Sequence, residues 1–240
     1  TIDGGTTALV IAESTVVGDL TLTSGGAITD SGTLTIGGNL SATTDVNDIT
    51  INLGTLAVDG TIALTTNGTN GNVTLVNDVG LAFAASTVDG VLSATATTGD
   101  ISDSGTQTIL GAATYITGVA DSNIILNDGA NTYAAGVIFR ADAGGETFGN
   151  LTFVDTGGIK LDSDANSAGD LFIDAATDGA VGGDLTLTSV TGNITQGVTV
   201  AVGGATSLTT SANDATITLS NTSNAFTGAI TLTTNDDDGT

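Results

Sequence analysis

The chain has 240 residues, 26 of them acidic and two basic, for a formal net charge of −24, and it contains no His, Cys, Pro, Met or Trp. That balance opposes binding to nucleic-acid phosphates and to anionic membrane surfaces. Without His or Cys there is no disulfide framework, no zinc site built on those residues and no nucleophilic relay through them.

Hydrophobic residues are 40% of the chain but aromatics only 3%, so a core must be assembled from Val, Ile, Leu and Ala. The acids are almost all Asp, with Glu only at Glu13 and Glu146. Asp competes for nearby backbone and favours turns over helix interiors, so the composition predicts strands joined by Asp, Asn and Gly turns. No signal-like segment precedes Thr1, which reads as a mature form or an excised piece.

Taken in chain order, the first predicted strand lies in the apolar opening TIDGGTTALVIAES. At Gly18 a phrase begins, GDLTLTSGGAITDSGTLTIG, in which residues alternate with a period of two. Leu20 and Leu22 point one way, Thr21 and Thr23 the other; Leu34 and Ile36 face in, Thr33 and Thr35 out. The phrase restarts at Gly38, Gly60, Gly90 and Gly111, and again at Gly183, Gly204 and Gly228, mostly 20 to 25 residues apart. The copy at Gly183, GDLTLTSVTGNITQGVTVAVG, nearly reproduces the one at Gly18. Between them, residues 133–172 are irregular, hold Tyr133, Phe139, Phe148, Phe153 and Phe172, and carry the only cations, Arg140 and Lys160.

Three short strands and three turns fill each repeat, and a unit of that size cannot bury its own apolar face, so neighbours must stack. The expected fold is all-β: a right-handed parallel β-helix, or β-solenoid, of about ten coils over residues 1–240. It is a single continuous solenoid with wider coils around 133–172 and no capping domain. Tandem immunoglobulin-like β-sandwiches are the alternative; they would repeat near ~100 residues around an aromatic core. In a β-helix the bore is narrow and aliphatic, and Pro is excluded because it deletes a ladder donor. Gly is expected to supply left-handed corners.

Candidate chemistry is sparse. The loop DSDANSAGD brings Asp162, Asp164, Asn166 and Asp170 together in the manner of a calcium loop, though without its Gly and closing Glu. Calcium is the ion such oxygen donors would take; no cofactor is required. Asp236, Asp237 and Asp238 form another acidic tip. Phe139, Arg140 and Lys160 form a candidate ligand patch, the alternative for the cations being ion pairs to Asp142, Glu146 or Asp162. Two carboxylates suffice for glycoside cleavage, but turn acids are expected here in any case, and an enzyme is not. Thr-x-Thr motifs fall on different parts of the coil, which predicts a broken threonine face.

The segments GDLTLTSGGAITDSGTLTIGGNL, GNVTLVND and ITLSNTSNAFTGAITLTT resemble the β-strand-repeat shafts of large bacterial surface adhesins, the filamentous-haemagglutinin-like proteins of the two-partner and autotransporter routes. The secretion domain of those adhesins carries Asn-Pro motifs, and this chain has no Pro. The resemblance implies an exported shaft segment, structural or adhesive, on a bacterial cell surface or in an extracellular matrix, with no active site to carry over. Its expected partners are its own kind of coil, end to end, and surface or matrix polysaccharide. The alternative function is a polysaccharide-binding or -cleaving β-helix.

Overall fold

The computed structural model describes residues 1–141, 147–175 and 177–235. Asp142, Glu146 and the run Asp236–Asp238 therefore lie outside the described residues. Among those described there is no helix, and the strands are parallel and stacked into a β-solenoid of about ten turns. The first long sheet climbs through Ile2–Asp3, Leu20–Ser24, Leu40–Asn47, Thr61–Asn67, Leu81–Phe83, Ile101–Asp103, Ile124–Leu126, Leu151–Asp155, Leu185–Ser189, Thr206–Asn213 and Ile230–Asn235. A second sheet climbs beside it from Leu9–Ile11 to Ile194–Gln196, and shorter strands close the third side.

The period-two pattern sets the register. Leu20, Leu22, Leu185 and Leu187 are buried, while the threonines between them are partly exposed. Stacking then places like on like: Leu81, Ile101, Ile124, Leu151 and Leu185 form one continuous apolar file. Each such side chain, taken fully from water, contributes about 1.5–3 kcal/mol.

The repeating phrase marks a strand but not the face it joins. Leu20–Ser24, Leu40–Asn47 and Thr61–Asn67 lie on the first sheet, as expected of one phrase in one place. Leu92–Ala96 and Ala113–Thr117, which follow Gly90 and Gly111, lie on the second. The 30 residues from Gly60 to Asp89 are thus more than one coil. Thr61–Asn67 is followed by Val73–Asn77 on the second sheet, and Leu81–Phe83 then returns to the first. A Gly turn and an alternating strand suit either face equally, so the letters alone do not distinguish them.

The bore is not aliphatic throughout. Phe83, Tyr115, Tyr133, Phe139 and Phe153 pack inside it as edge-on or tilted neighbours, with ring centres from 5.1 to 6.5 Å apart. The coils lengthen along this stretch, from 20 residues between Leu81 and Ile101 to 27 between Ile124 and Leu151 and 34 between Leu151 and Leu185. Tyr115 and Tyr133 each place a hydroxyl beside the other, 3.2 Å apart, so neither buried group lacks a partner. Burial pushes both hydroxyls well above the usual tyrosine range.

Two features of the corners explain the choice of letters. The Asp or Asn after the phrase Gly accepts a hydrogen bond from the backbone of the next coil. Asn39 N donates to Asp19 Oδ1, and Thr61 N to Asn39 Oδ1. Farther along, Asn123 N donates to Asp100, Asn150 N to Asn123, Asp184 N to Asn150, and Ala205 N to Asp184, all at 2.7–2.8 Å. A Glu carboxylate, one methylene farther out, would overshoot, which accounts for the Asp-for-Glu bias. The phrase glycines after Gly18 serve close approach to the preceding coil rather than left-handed geometry. Only Gly5, Gly68, Gly99, Gly169 and Gly179 among the described glycines have positive φ, and none of them opens a phrase. A Cβ on Gly183 would stand 2.5 Å from Asn150 Oδ1 and 2.7 Å from the Gly149 backbone.

The threonines also fall into register. Thr23, Thr43, Thr65, Thr87, Thr108 and Thr132 are successive partners on neighbouring strands, and the Thr132 hydroxyl meets that of Thr156 at 2.9 Å. One outward threonine file is therefore continuous, but the Thr-x-Thr face is broken as expected, because Thr21 in the flanking file is followed by Ser41 and Ala63.

Candidate functional site

The irregular stretch contains a local reversal of strand order. Asp170–Asp174 pairs with Val137–Ala141 on one side and with Ile159–Leu161 on the other. A later strand has slotted beneath an earlier one, and residues 162–169 form the loop that carries the chain back.

That loop gathers the predicted acids. One carboxylate oxygen from each of Asp162, Asp164 and Asp170 lies within 4.8 Å of the others. Asn166, in the same loop, is exposed. The Lys160 ammonium sits in the same cluster, hydrogen-bonded to Asp162 and 3.7 Å from Asp170 Oδ1. The Asp162 contact holds Lys160 above the usual lysine range and Asp162 below the usual carboxylate range. A cation thus already stands among these oxygens, and its partner is one of the three acids foreseen for it. Thermal stability should rise with added sodium chloride, because the uncompensated acids elsewhere repel one another. Calcium should add little beyond its ionic strength. A large melting-temperature rise at micromolar calcium, absent with magnesium, would contradict this.

The candidate ligand patch does not assemble. Phe139 is fully buried, its ring packed against Tyr115 and Phe153, so it cannot offer a face to a ligand. Adjacent strand residues point to opposite sides. Arg140 therefore faces out, where its Nε meets Asp174 Oδ2 of the neighbouring strand at 2.5 Å. Phe139 and Arg140 are separated by the sheet itself.

Lys160 instead borders a groove of about 370 Å³, lined by Tyr133, Asp155, Gly157 to Lys160, Ala168 to Asp170, Asn193 and Thr195. Asp155 is 3% exposed, and its Oδ1 accepts from Tyr133 N at 3.3 Å. Burial raises its pKa above the ordinary 3.8, against hydrogen bonds from the backbone of Gly157, Tyr133 and Thr156 that lower it. The folded state therefore holds this proton to higher pH than the unfolded state does. Stability from this group falls as pH rises from the ordinary aspartate value through the raised one. Asp155→Asn, which keeps the Oδ1 acceptor, should melt higher than the parent at pH 7, and the difference should vanish in acid. Denaturation curves across pH check this; a difference that grows in acid would reverse the sign.

The chain was compared with known families and proteins. The family model described as repeats of unknown function (DUF5649) matches residues 1–52, 70–139 and 168–233, well over half of the chain. The chain belongs to this family. No curated protein and no solved structure matches it. The matched DUF5649 segments lie within the stacked coils, and the stack also runs through the unmatched strands Thr61–Asn67 and Leu151–Asp155. The middle matched segment stops at Phe139 and the next resumes at Ala168, so Asp155, Gly157, Gly158 and Lys160 of the groove fall between matched repeats. Asp155 and Thr195 were not singled out by sequence, and Asn193 stood out only as the first residue of an Asn-Ile-Thr triplet. Asp155 looks like any turn acid after LTFV, and Thr195 belongs to an ordinary strand of the next coil, Ile194–Gln196, with Asn193 just before it.

Proposed function

We propose that the chain is a non-enzymatic shaft segment of a secreted filament, at a bacterial cell surface or in an extracellular matrix, built by stacking coil on coil and needing no cofactor. This is the adhesin-like reading made specific for a DUF5649 repeat protein. The observation that carries it is the unbroken stacking of parallel rungs: the first long sheet runs from Ile2–Asp3 to Ile230–Asn235, and like residues stand on like along it. A coil stacked on its own kind continues that pairing and covers the apolar bore. The high negative charge keeps the sides of the shaft apart.

The test is to purify residues 1–240, measure mass against concentration, and follow amide exchange in the outermost strands. The shaft reading expects end-to-end growth with concentration, or rapid exchange in the two outer rungs when dilute. A stable dilute monomer whose outer rungs are as protected as the middle coils would sink it.

A further inference from the structure

The groove beside Lys160 is built from parts that a plain solenoid coil lacks. On its wall Asp170, Lys160 and Thr195 are partners on three successive strands. They set an acceptor, a donor and a hydroxyl in a row at the inter-strand spacing of about 4.8 Å. Asp155, nearly buried, lies deeper, and Asn193 adds an amide. Gly157, Gly158 and Gly169 line it with bare backbone, and at Gly158 and Gly169 an added Cβ would press on neighbouring backbone. Its volume of about 370 Å³ is within the usual range for small-molecule sites, roughly 300–1,000 Å³.

The lining discriminates among ligand classes. Asp155 and Asp170 oppose an anion. Ile159 and Ala168 are the only aliphatic side chains in the lining, too few to hold an apolar ligand. The Lys160 ammonium already occupies the space beside Asp162 and Asp170 and offsets part of the cluster's charge, which weakens the place for a second cation. A neutral ligand rich in hydroxyls suits every group present, since each hydroxyl both donates to a carboxylate and accepts from an ammonium or amide.

We infer that this groove binds a neutral saccharide, one or two rings long, held by its hydroxyl groups against Asp155, Lys160, Asp170 and Thr195. The site stands on the side of the solenoid, so it does not depend on what covers the ends, and the two readings fail separately.

The experiment is an amide-shift titration of the ¹⁵N-labelled chain with lactose, cellobiose, maltose and chitobiose, each alone. The expected result is saturable movement of the Gly157, Gly158, Gly169 and Thr195 amides with at least one sugar. Thr195→Phe, which lays a ring across the groove, should weaken that binding about tenfold or more. Thr74→Phe, an equivalent outward change on a distant coil of the same sheet, should not. Thr195→Lys supplies the same test should the phenylalanine variant fail to fold. No saturable shift with any of the four sugars, or equal binding by the blocked variant, overturns the proposal. So does a saturable response of these amides to calcium chloride or putrescine but to none of the sugars, which would make the groove a cation site.

Discussion

Leu187→Ala should cost about 2–5 kcal/mol, the range for removing a large aliphatic side chain from a packed core. Leu187 is fully buried, with Phe153 beneath it and Leu208 above it in register. Nothing in a β-helix rung can slide in to fill the space, because each strand is pinned by backbone pairing on both sides. Thr186, one residue earlier, faces outward, and Thr186→Ala should stay within about 0.5 kcal/mol. Since a whole domain is stable by only about 5–15 kcal/mol, the first change should visibly shift a urea transition and the second should not. Equal effects would mean that the inward and outward faces are assigned the wrong way round.

Gly183→Ala should cost about 1–3 kcal/mol as an overpacked contact, whereas Gly18→Ala should be close to neutral. Both glycines open the same words, GDLTLTS. Gly183 lies on the preceding coil, its N–H donating to Gly149 O at 3.0 Å, and an added Cβ would strike Asn150 Oδ1 and the Gly149 backbone. Gly18 has nothing within 4 Å of the same position. The pair separates the effect of stacking from the effect of the residue itself, since the local sequence is shared. Paired melting curves of the two variants check it. Equal losses would show that the glycine is required by its own turn rather than by the coil beneath.

The recurring phrase announced the solenoid because a strand that buries every second residue, closed by a Gly turn, solves the same packing problem in every coil. Its limits are equally physical. Which sheet a strand joins depends on the coil below, so the shift of Leu92–Ala96 and Ala113–Thr117 to the second sheet could not be read from GVLSATA or GAATYIT. The reversed order of Ile159–Leu161 and Asp170–Asp174 is a long-range pairing with no local signature. Phe139 was drawn into a ligand patch because it adjoins Arg140 in sequence, yet strand alternation sends the two to opposite faces. The acids at 162, 164 and 170 do meet, since one short loop holds them all. Asp155 escaped notice because its special feature is burial, which depends on the wider coil around the tyrosine pair. The interlocking Asp and Asn side chains at the coil corners were present in most GD and GN pairs, Asp170 being one that accepts within its own loop, from Ser167 N. Their role appears only when the next coil is in place to donate to them.

The central claim, that the chain is a length of shaft, is tested most directly by electron microscopy of the native assembly, labelled with an antibody raised against residues 1–240. The shaft reading predicts label on slender filaments or stalks projecting from the cell surface or running through the matrix. Label confined to compact soluble particles, with filaments and stalks unmarked, would contradict it.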